Sequence, residues 1–346
     1  MMYYLKYRPA TISELDNLRV QNILKKLLES KEIPHALLFI GQKGSGKTSA
    51  ARIFSKSINC LNRKEIEPCN ACKNCVSIQN SSFTDVVEMD AASNRGIEEI
   101  KNLIRETNFM PMVGNFRVFI VDEAHMITGD GFNALLKTLE EPPKTSVFIL
   151  ATTNPEKLPN TIVSRCVKVN FGYAQQSEII KMFQRICGKE QINLSDKLLE
   201  LLAQHSDRSF RDAAKLLEEV VIQKIKTIEE AETFLGIRGK QNFLKIIEEN
   251  NPEKIFSWLD EFSKSGGNTK MLIEDILDKL RIILLQRKKA YNDILVDSSL
   301  STEQVMRLIK LMMEAYQNLR LTPIESLPLE IAICEFYNDI KIKVKS

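Results

Sequence analysis

Eight consecutive residues, Gly41-Gln42-Lys43-Gly44-Ser45-Gly46-Lys47-Thr48, have the types and spacing that hold phosphate. They match the pattern G-x-x-x-x-G-K-[ST]. Gly41, Gly44 and Gly46 let successive backbone N–H groups curl round phosphate oxygens. A helix opening at Lys47 would turn its positive end on the same anion. Lys47 is placed to reach the β- and γ-phosphates. The Thr48 hydroxyl is a Mg²⁺ ligand, and Ser45 and Ser49 complete the nucleotide-binding set. The expected ligands are ATP and Mg²⁺.

A second cluster is Val118-Phe119-Ile120-Val121-Asp122-Glu123-Ala124-His125. Four apolar residues end in two acids, at the edge of a sheet where α/β folds place ligands. Two acids after a strand are commonplace; beside a phosphate loop they read as functional. Asp122 is expected to hold Mg²⁺, directly or through water, and Glu123 to polarise the attacking water. For His125 a structural or solvent role is as good a reading. At the end of the next apolar run, in Ala151-Thr152-Thr153-Asn154, Thr153 is the favoured γ-phosphate neighbour. Asn154 stays open, as does a plain strand-ending turn before Pro155.

Cys60, Cys69, Cys72 and Cys75 form C-x₈-C-x₂-C-x₂-C. Thiolates this close share one tetrahedral ion, and four of them leave no position for chemistry, so a structural Zn²⁺ is expected. Pro68, Asn70 and Asn74 suit the tight turns required. The alternatives are reduced cysteines in a loop and an iron–sulfur cluster, whose ligand spacings differ from this one. Cys166, Cys187 and Cys334 are scattered and read as small buried residues.

The elements that must position these groups alternate. Leu37–Ile40, Val86–Met89, Val118–Val121, Val147–Leu150 and Val167–Val169 are short, mostly apolar strands, as in a parallel sheet covered on both faces. Helical stretches at Ala50–Asn59, Ile97–Asn108 and Gly131–Glu140 lie between them, which implies right-handed βαβ units. After Phe171 the strand signal stops. Gln176–Gly188, Ser195–His205 and Phe210–Ile225 read as three helices. Leu235-Gly236-Ile237-Arg238-Gly239 reads as a linker, followed by helices at Thr269–Ala290, Ser301–Leu319 and Ile324–Tyr337, punctuated by Gly266-Gly267 and Pro323. The expected organisation is α/β: a phosphate-binding domain over 1–172 with the cysteine module inserted at about 60–75, a small helical lid over 173–238, and a helical C-terminal domain over 239–346.

The chain has 346 residues and a formal net charge of +3, too small to mark a nucleic-acid binder by itself; basic residues would have to cluster. No apolar run approaches the ~20 residues of a membrane span. The start lacks a signal-peptide pattern, so a cytoplasmic protein is expected.

Two arginines remain. Arg165 lies in Ser164-Arg165-Cys166 and Arg211 in Ser209-Phe210-Arg211-Asp212. By residue type alone each reads first as a surface residue. The order of phosphate loop, Asp-Glu, Thr-Thr-Asn, Ser-Arg-Cys and Phe-Arg-Asp, however, resembles the AAA+ clamp loaders. Lys6-Tyr7-Arg8-Pro9 and the stretch Phe132-Asn133-Ala134-Leu135-Leu136-Lys137-Thr138-Leu139-Glu140-Glu141-Pro142-Pro143 resemble that family more specifically. Within it, the intact phosphate loop, Arg165 and the cysteine module are similar to the gamma/tau group of bacterial DNA polymerase III. The delta prime group, which typically lacks a working phosphate loop, is the alternative. So is another AAA+ DNA-associated motor. The resemblance covers residues 3–240 strongly and the C-terminal helices in general pattern.

The resemblance implies an ATPase that opens a sliding clamp and loads it on primed DNA during replication, with no polymerase site of its own. It implies Arg165 acting in a neighbour's ATP site and Arg211 sensing nucleotide in its own chain. It implies delta, delta prime and further gamma/tau copies, the sliding clamp and primer–template DNA as partners, in a nucleoid-associated replisome. With a helical third domain as its last part, the sequence looks like the short gamma form, which is the form expected. One departure stands out: where the family commonly has Gly-Gln near the adenine pocket, this chain has Asp16-Asn17.

Overall fold

The structure is a computed structural model that describes residues 2–30, 32–94, 96–235, 243–249, 251–264, 267–287 and 298–345, the last seven of these as backbone only. The chain divides into two compact units, Met1–Lys224 and Ile225–Ser346.

The first unit is built on five parallel strands: β1 (Ala36–Gly41), β2 (Val86–Asp90), β3 (Arg117–Asp122), β4 (Ser146–Thr152) and β5 (Val167–Gly172), in the order β2-β3-β4-β1-β5. All five expected strands are present. Their burial explains their sequences. β1, β3 and β4 are interior strands, and their side chains alternate between two apolar layers. Leu37, Phe39, Val118, Ile120, Val147 and Ile149 face the helices Leu18–Glu29 and Lys47–Asn59 through Val20, Leu24, Ile53 and Phe54. Ala36, Leu38, Phe119, Val121, Phe148 and Leu150 face the helices Ile97–Thr107 and Gly129–Glu140 through Ile100, Leu103, Phe132 and Leu135. Phe119 and Phe148 stack across neighbouring strands at 5.1 Å. Each such ring, fully buried, contributes about 1.5–3 kcal/mol. β5 lies at an edge, and there the pattern becomes period two: Val169 and Phe171 are buried while Val167, Lys168 and Asn170 are exposed.

This strand order brings the carboxyl ends of β1, β3 and β4 side by side. Ile40 pairs with Thr152, and Asp90 with Asp122. Gly41, Asp122 and Thr152 therefore end on one edge, outside which open α/β sheets bind ligands.

Three helices follow the sheet within the first unit: Gln176–Glu190, Asp196–Gln204 and Phe210–Ile222. Ser195 and Ser209 are caps rather than helical residues; their hydroxyls accept from Leu198 N and Asp212 N. The last helix stops at Ile222, short of the expected Ile225. The N-terminal residues dock on these helices: Tyr3 N donates to Glu218, and Lys6 pairs with Glu190 at 2.7 Å.

The second unit is helical, with Thr269–Arg287, Thr302–Asn318 and Leu327–Lys345 among its helices. They pack through Leu272, Ile276, Leu308, Met312, Ile333 and Phe336. Residues 236–239 of the expected linker, Gly266, and residues 288–290 of the expected helix lie outside the described residues. Cys334 corrects an expectation: it is exposed, on the outer face of the last helix, while Cys187 is buried and Cys166 half-buried. Burial pushes the Cys166 thiol up to about 11. Among the described residues no helix is long and apolar enough to cross a membrane.

Candidate nucleotide site and cysteine centre

A cavity of about 720 Å³ lies over the carboxyl edge of the sheet. Gly44, Ser45, Gly46, Lys47, Thr48, Ser49, Asp122, Glu123 and Arg211 all line it.

The loop after β1 is shaped by two left-handed glycines, Gly44 at φ 80° and Gly46 at φ 96°. Gly44 also permits a close approach. A Cβ there would come within 2.1 Å of Ser209 Oγ and 3.1 Å of Arg211 Cβ. Its missing side chain is what lets the capped start of the helix Phe210–Ile222 sit on the phosphate loop, and this is how Arg211 reaches the cavity. Gly46 N-caps the helix Lys47–Asn59, whose first amides face the loop. Lys47 is buried, and its ammonium donates to the Gly41 and Gln42 carbonyls at 2.8 Å each. Burial lowers its pKa, with Asp122 and Glu123 acting the other way.

Thr48 Oγ1 donates to Asp122 Oδ2 at 2.6 Å, and Glu123 N donates to Asp122 Oδ1 at 2.9 Å. Glu123 sits in the left-handed region at φ 47°, an unusual conformation for a non-glycine residue and one that marks functional turns. Its Oε2 accepts from Thr153 Oγ1 at 3.1 Å. Of the two open readings after β4, the Thr153 side chain is therefore the one bonded to the Glu123 carboxylate. Asn154 uses its backbone N–H on Thr152 Oγ1. His125 Nδ1 lies 3.0 Å from that same hydroxyl and 3.5 Å from Glu123 Oε2, a position that braces the turn.

Arg165 is not brought to this cavity. It follows the short helix Asn160–Val163, where its guanidinium binds the Thr161 carbonyl and the Glu140 carboxylate. Both side chains of that pair are substantially exposed, so it contributes about 0–1 kcal/mol and yields easily to another partner.

Two features of the cavity were not read from the sequence. Arg8 lines it, donating to Ser49 Oγ at 2.7 Å. Burial, with Arg52 and Arg211 adding to it, pushes its pKa down to about 10, so it stays charged at neutral pH. Asp16 and Asn17 have structural duties. Both carboxylate oxygens of Asp16 accept from the same Arg185 nitrogen, Nη2, at 2.8 and 2.9 Å. Asn17 caps the helix Leu18–Glu29 through Val20 N and donates to the Phe171 carbonyl. The pair thus ties the sheet edge to the helix Gln176–Glu190.

The Sγ atoms of Cys60, Cys69, Cys72 and Cys75 all lie within 4.8 Å of one another. Two sulfurs held tetrahedrally at about 2.3 Å from one zinc stand about 3.8 Å apart, so the set fits that ion. Cys60 and Cys69 sulfurs accept N–H bonds from Cys69 and Cys72 at 3.3 Å. Burial would raise the Cys72 thiol, but backbone donors from Cys75 and Leu61 and the neighbouring sulfurs bring it down to about 6. Asn70 takes φ 55°, the turn its residue type suggested. Asn74 is not in a turn; it lies in the helix Lys73–Gln79 and donates to the Asn59 carbonyl at 2.9 Å.

A family model described as DNA polymerase III, delta subunit, matches residues 17–175. Longer matches come from individual proteins. DNA polymerase III subunit tau of Bacillus subtilis is 37% identical over 82% of this chain and 52% of its own length. The tau subunit of Escherichia coli is 35% identical over 82% of this chain and 45% of its own. The gamma subunit of Buchnera aphidicola is 41% identical over 62% of this chain and 59% of its own. This chain is a relative of the DNA polymerase III gamma/tau subunits. It spans about half the length of the gamma/tau proteins it matches. Its parallel sheet leads from β1 into the phosphate loop, and a delta prime relation is not better supported than the gamma/tau one.

Proposed function

We propose that this gamma/tau relative is an ATP-hydrolysing subunit of a clamp loader, opening a sliding clamp and setting it on primed DNA during replication. The observation that carries the reading is the chain of contacts from Thr48 to Asp122, and from Glu123 to Thr153, beside the Lys47 ammonium. It supports a site where ATP is both held and cut.

In this reading the phosphate loop amides, Lys47 and Arg211 bind and orient the triphosphate. Thr48 and Asp122, already 2.6 Å apart, would hold Mg²⁺, which when bound neutralises charge on the phosphoryl oxygens. Glu123 accepts a proton from the attacking water, and Thr153 fixes the carboxylate that does so. Arg165 leaves Glu140 to serve the ATP of an adjacent copy, which makes hydrolysis depend on assembly. The chain then works as three parts, 1–172, 173–238 and 239–346. Its partners are delta, delta prime and further gamma/tau copies, the clamp and primer–template DNA, in the cytoplasm. The four cysteines hold a structural zinc.

The test is phosphate release by the full chain with the other loader subunits, the clamp and primed DNA. Release that rises when clamp and DNA are added supports the reading. A complex that hydrolyses no ATP under those conditions contradicts it.

A further inference from the structure

Lys56 is, with Lys47, one of two buried lysines among the described residues, at 1% exposure, on the helix that begins at the phosphate loop. Nothing in the nucleotide site uses it. Its ammonium donates to the Ala10 carbonyl at 2.8 Å, Asn70 Oδ1 at 2.7 Å and Gln79 Oε1 at 3.1 Å. These three acceptors satisfy its hydrogens, and all three are neutral. A buried cation calls for a counter-charge as well as acceptors. Asn70 shows where that charge lies. It stands between Cys69 and Cys72 in the left-handed conformation, inside the turn that carries two of the four thiols. Lys56 therefore grips, through Oδ1, the turn that sets two of the four thiols.

We propose that Lys56 is the counter-cation and positioning residue of the four-cysteine centre, holding the Asn70 turn in register and offsetting the charge of the bound metal. This rests on the zinc reading above. Four thiolates on one Zn²⁺ carry a net charge of −2, and partners outside the ligand set tune the affinity of such sites by 10–100-fold. The same contact makes the helix Lys47–Asn59 one wall of the metal site as well as of the phosphate site.

The experiment measures zinc release from the purified full chain under excess chelator, read with a metal-sensitive dye, for wild type, Lys56→Met, Lys56→Arg and Asn70→Gly. Lys56→Met keeps length and removes charge. It should release zinc at least 10-fold faster, with recovery toward wild type in Lys56→Arg. Asn70→Gly keeps the left-handed turn and its N–H and removes only the acceptor, so it should also release faster. With Co²⁺ in place of Zn²⁺, the thiolate charge-transfer band should shift in Lys56→Met, which loss of packing alone would not cause. If Lys56→Met does not fold, Asn70→Gly decides, and wild-type release in that variant overturns the proposal. A folded Lys56→Met that holds zinc as long as wild type also overturns it. A wild-type chain that binds no zinc overturns the metal site itself, a separate result.

Discussion

The Thr153 hydroxyl donates to Glu123 Oε2 at 3.1 Å, so the ends of β3 and β4 share one hydrogen bond at the edge where the phosphate loop ends β1. The carboxylate is aimed by a neighbouring strand rather than by its own. Thr153→Val should keep nucleotide affinity and slow hydrolysis about 10-fold. Glu123→Gln should slow it about 10²–10⁴-fold, the range for loss of a general base. Titration calorimetry and phosphate release separate binding from turnover; a Glu123→Gln chain that turns over like wild type would remove Glu123 from its role.

Gly44 carries a conformational and a steric demand together. Gly44→Ala should cost about 1–2 kcal/mol for the left-handed backbone and push Ser209, with its helix, off the loop. ATP affinity should fall, and Ser209→Ala in the same chain should restore part of it by removing the hydroxyl the new Cβ meets. Full affinity in Gly44→Ala alone would show that the approach of Arg211 to the loop does not matter.

Asp85 is fully buried and accepts N–H bonds from Met112, Val113 and Gly114 at 2.7–2.8 Å. Burial alone would raise its pKa, but those three donors, with Arg117, leave it below the usual value of 3.8. A depressed carboxylate stabilises the fold fully above its unfolded pKa of about 3.9 and loses that contribution as pH falls through the native value. Asp85→Asn replaces one acceptor by a donor facing N–H groups and should cost about 2–3 kcal/mol at pH 7. Urea midpoints from pH 7 to pH 3 check both claims: the wild-type advantage should shrink below about pH 4. An advantage that persists unchanged to pH 3 would contradict the assignment.

Much of this was legible because it is local. The apolar runs of β1, β3 and β4 each fill two layers of core, and the phosphate loop and cysteine cluster are compact patterns. What was missed depends on partners distant in the chain. Arg8 acquires meaning from Ser49, and Asp16 from Arg185. Lys56 sits on an amphipathic helix, where lysine ordinarily means solvent; the folded cysteine module and the N-terminal segment at Ala10 together cover it. The helix Leu18–Glu29 is a different case, since its apolar spacing and the cap at Asn17 were there to be read.

The metal makes a prediction independent of nucleotide. Purified protein should carry one zinc per chain, and Cys72→Ser should lose it, because three thiolates no longer close the site. Elemental analysis and thiol titration report this directly. A metal-free wild type with four freely reacting thiols in this segment would rule out the centre.

If one chain's cavity is completed by another chain's Arg165, as proposed, two chains disabled at different residues should repair each other when mixed. Arg165→Ala keeps its own Lys47, Glu123 and Thr153; Glu123→Gln keeps Arg165. An arginine supplied in trans accounts for about 10³–10⁵ in rate, so each variant alone, assembled with its partners, should hydrolyse ATP barely above background. Phosphate release should reappear in mixtures and peak at intermediate ratios, where an intact Glu123 meets an intact Arg165. If Arg165→Ala alone hydrolyses ATP at the wild-type rate, or if no ratio restores activity, the arginine does not serve a neighbour's nucleotide.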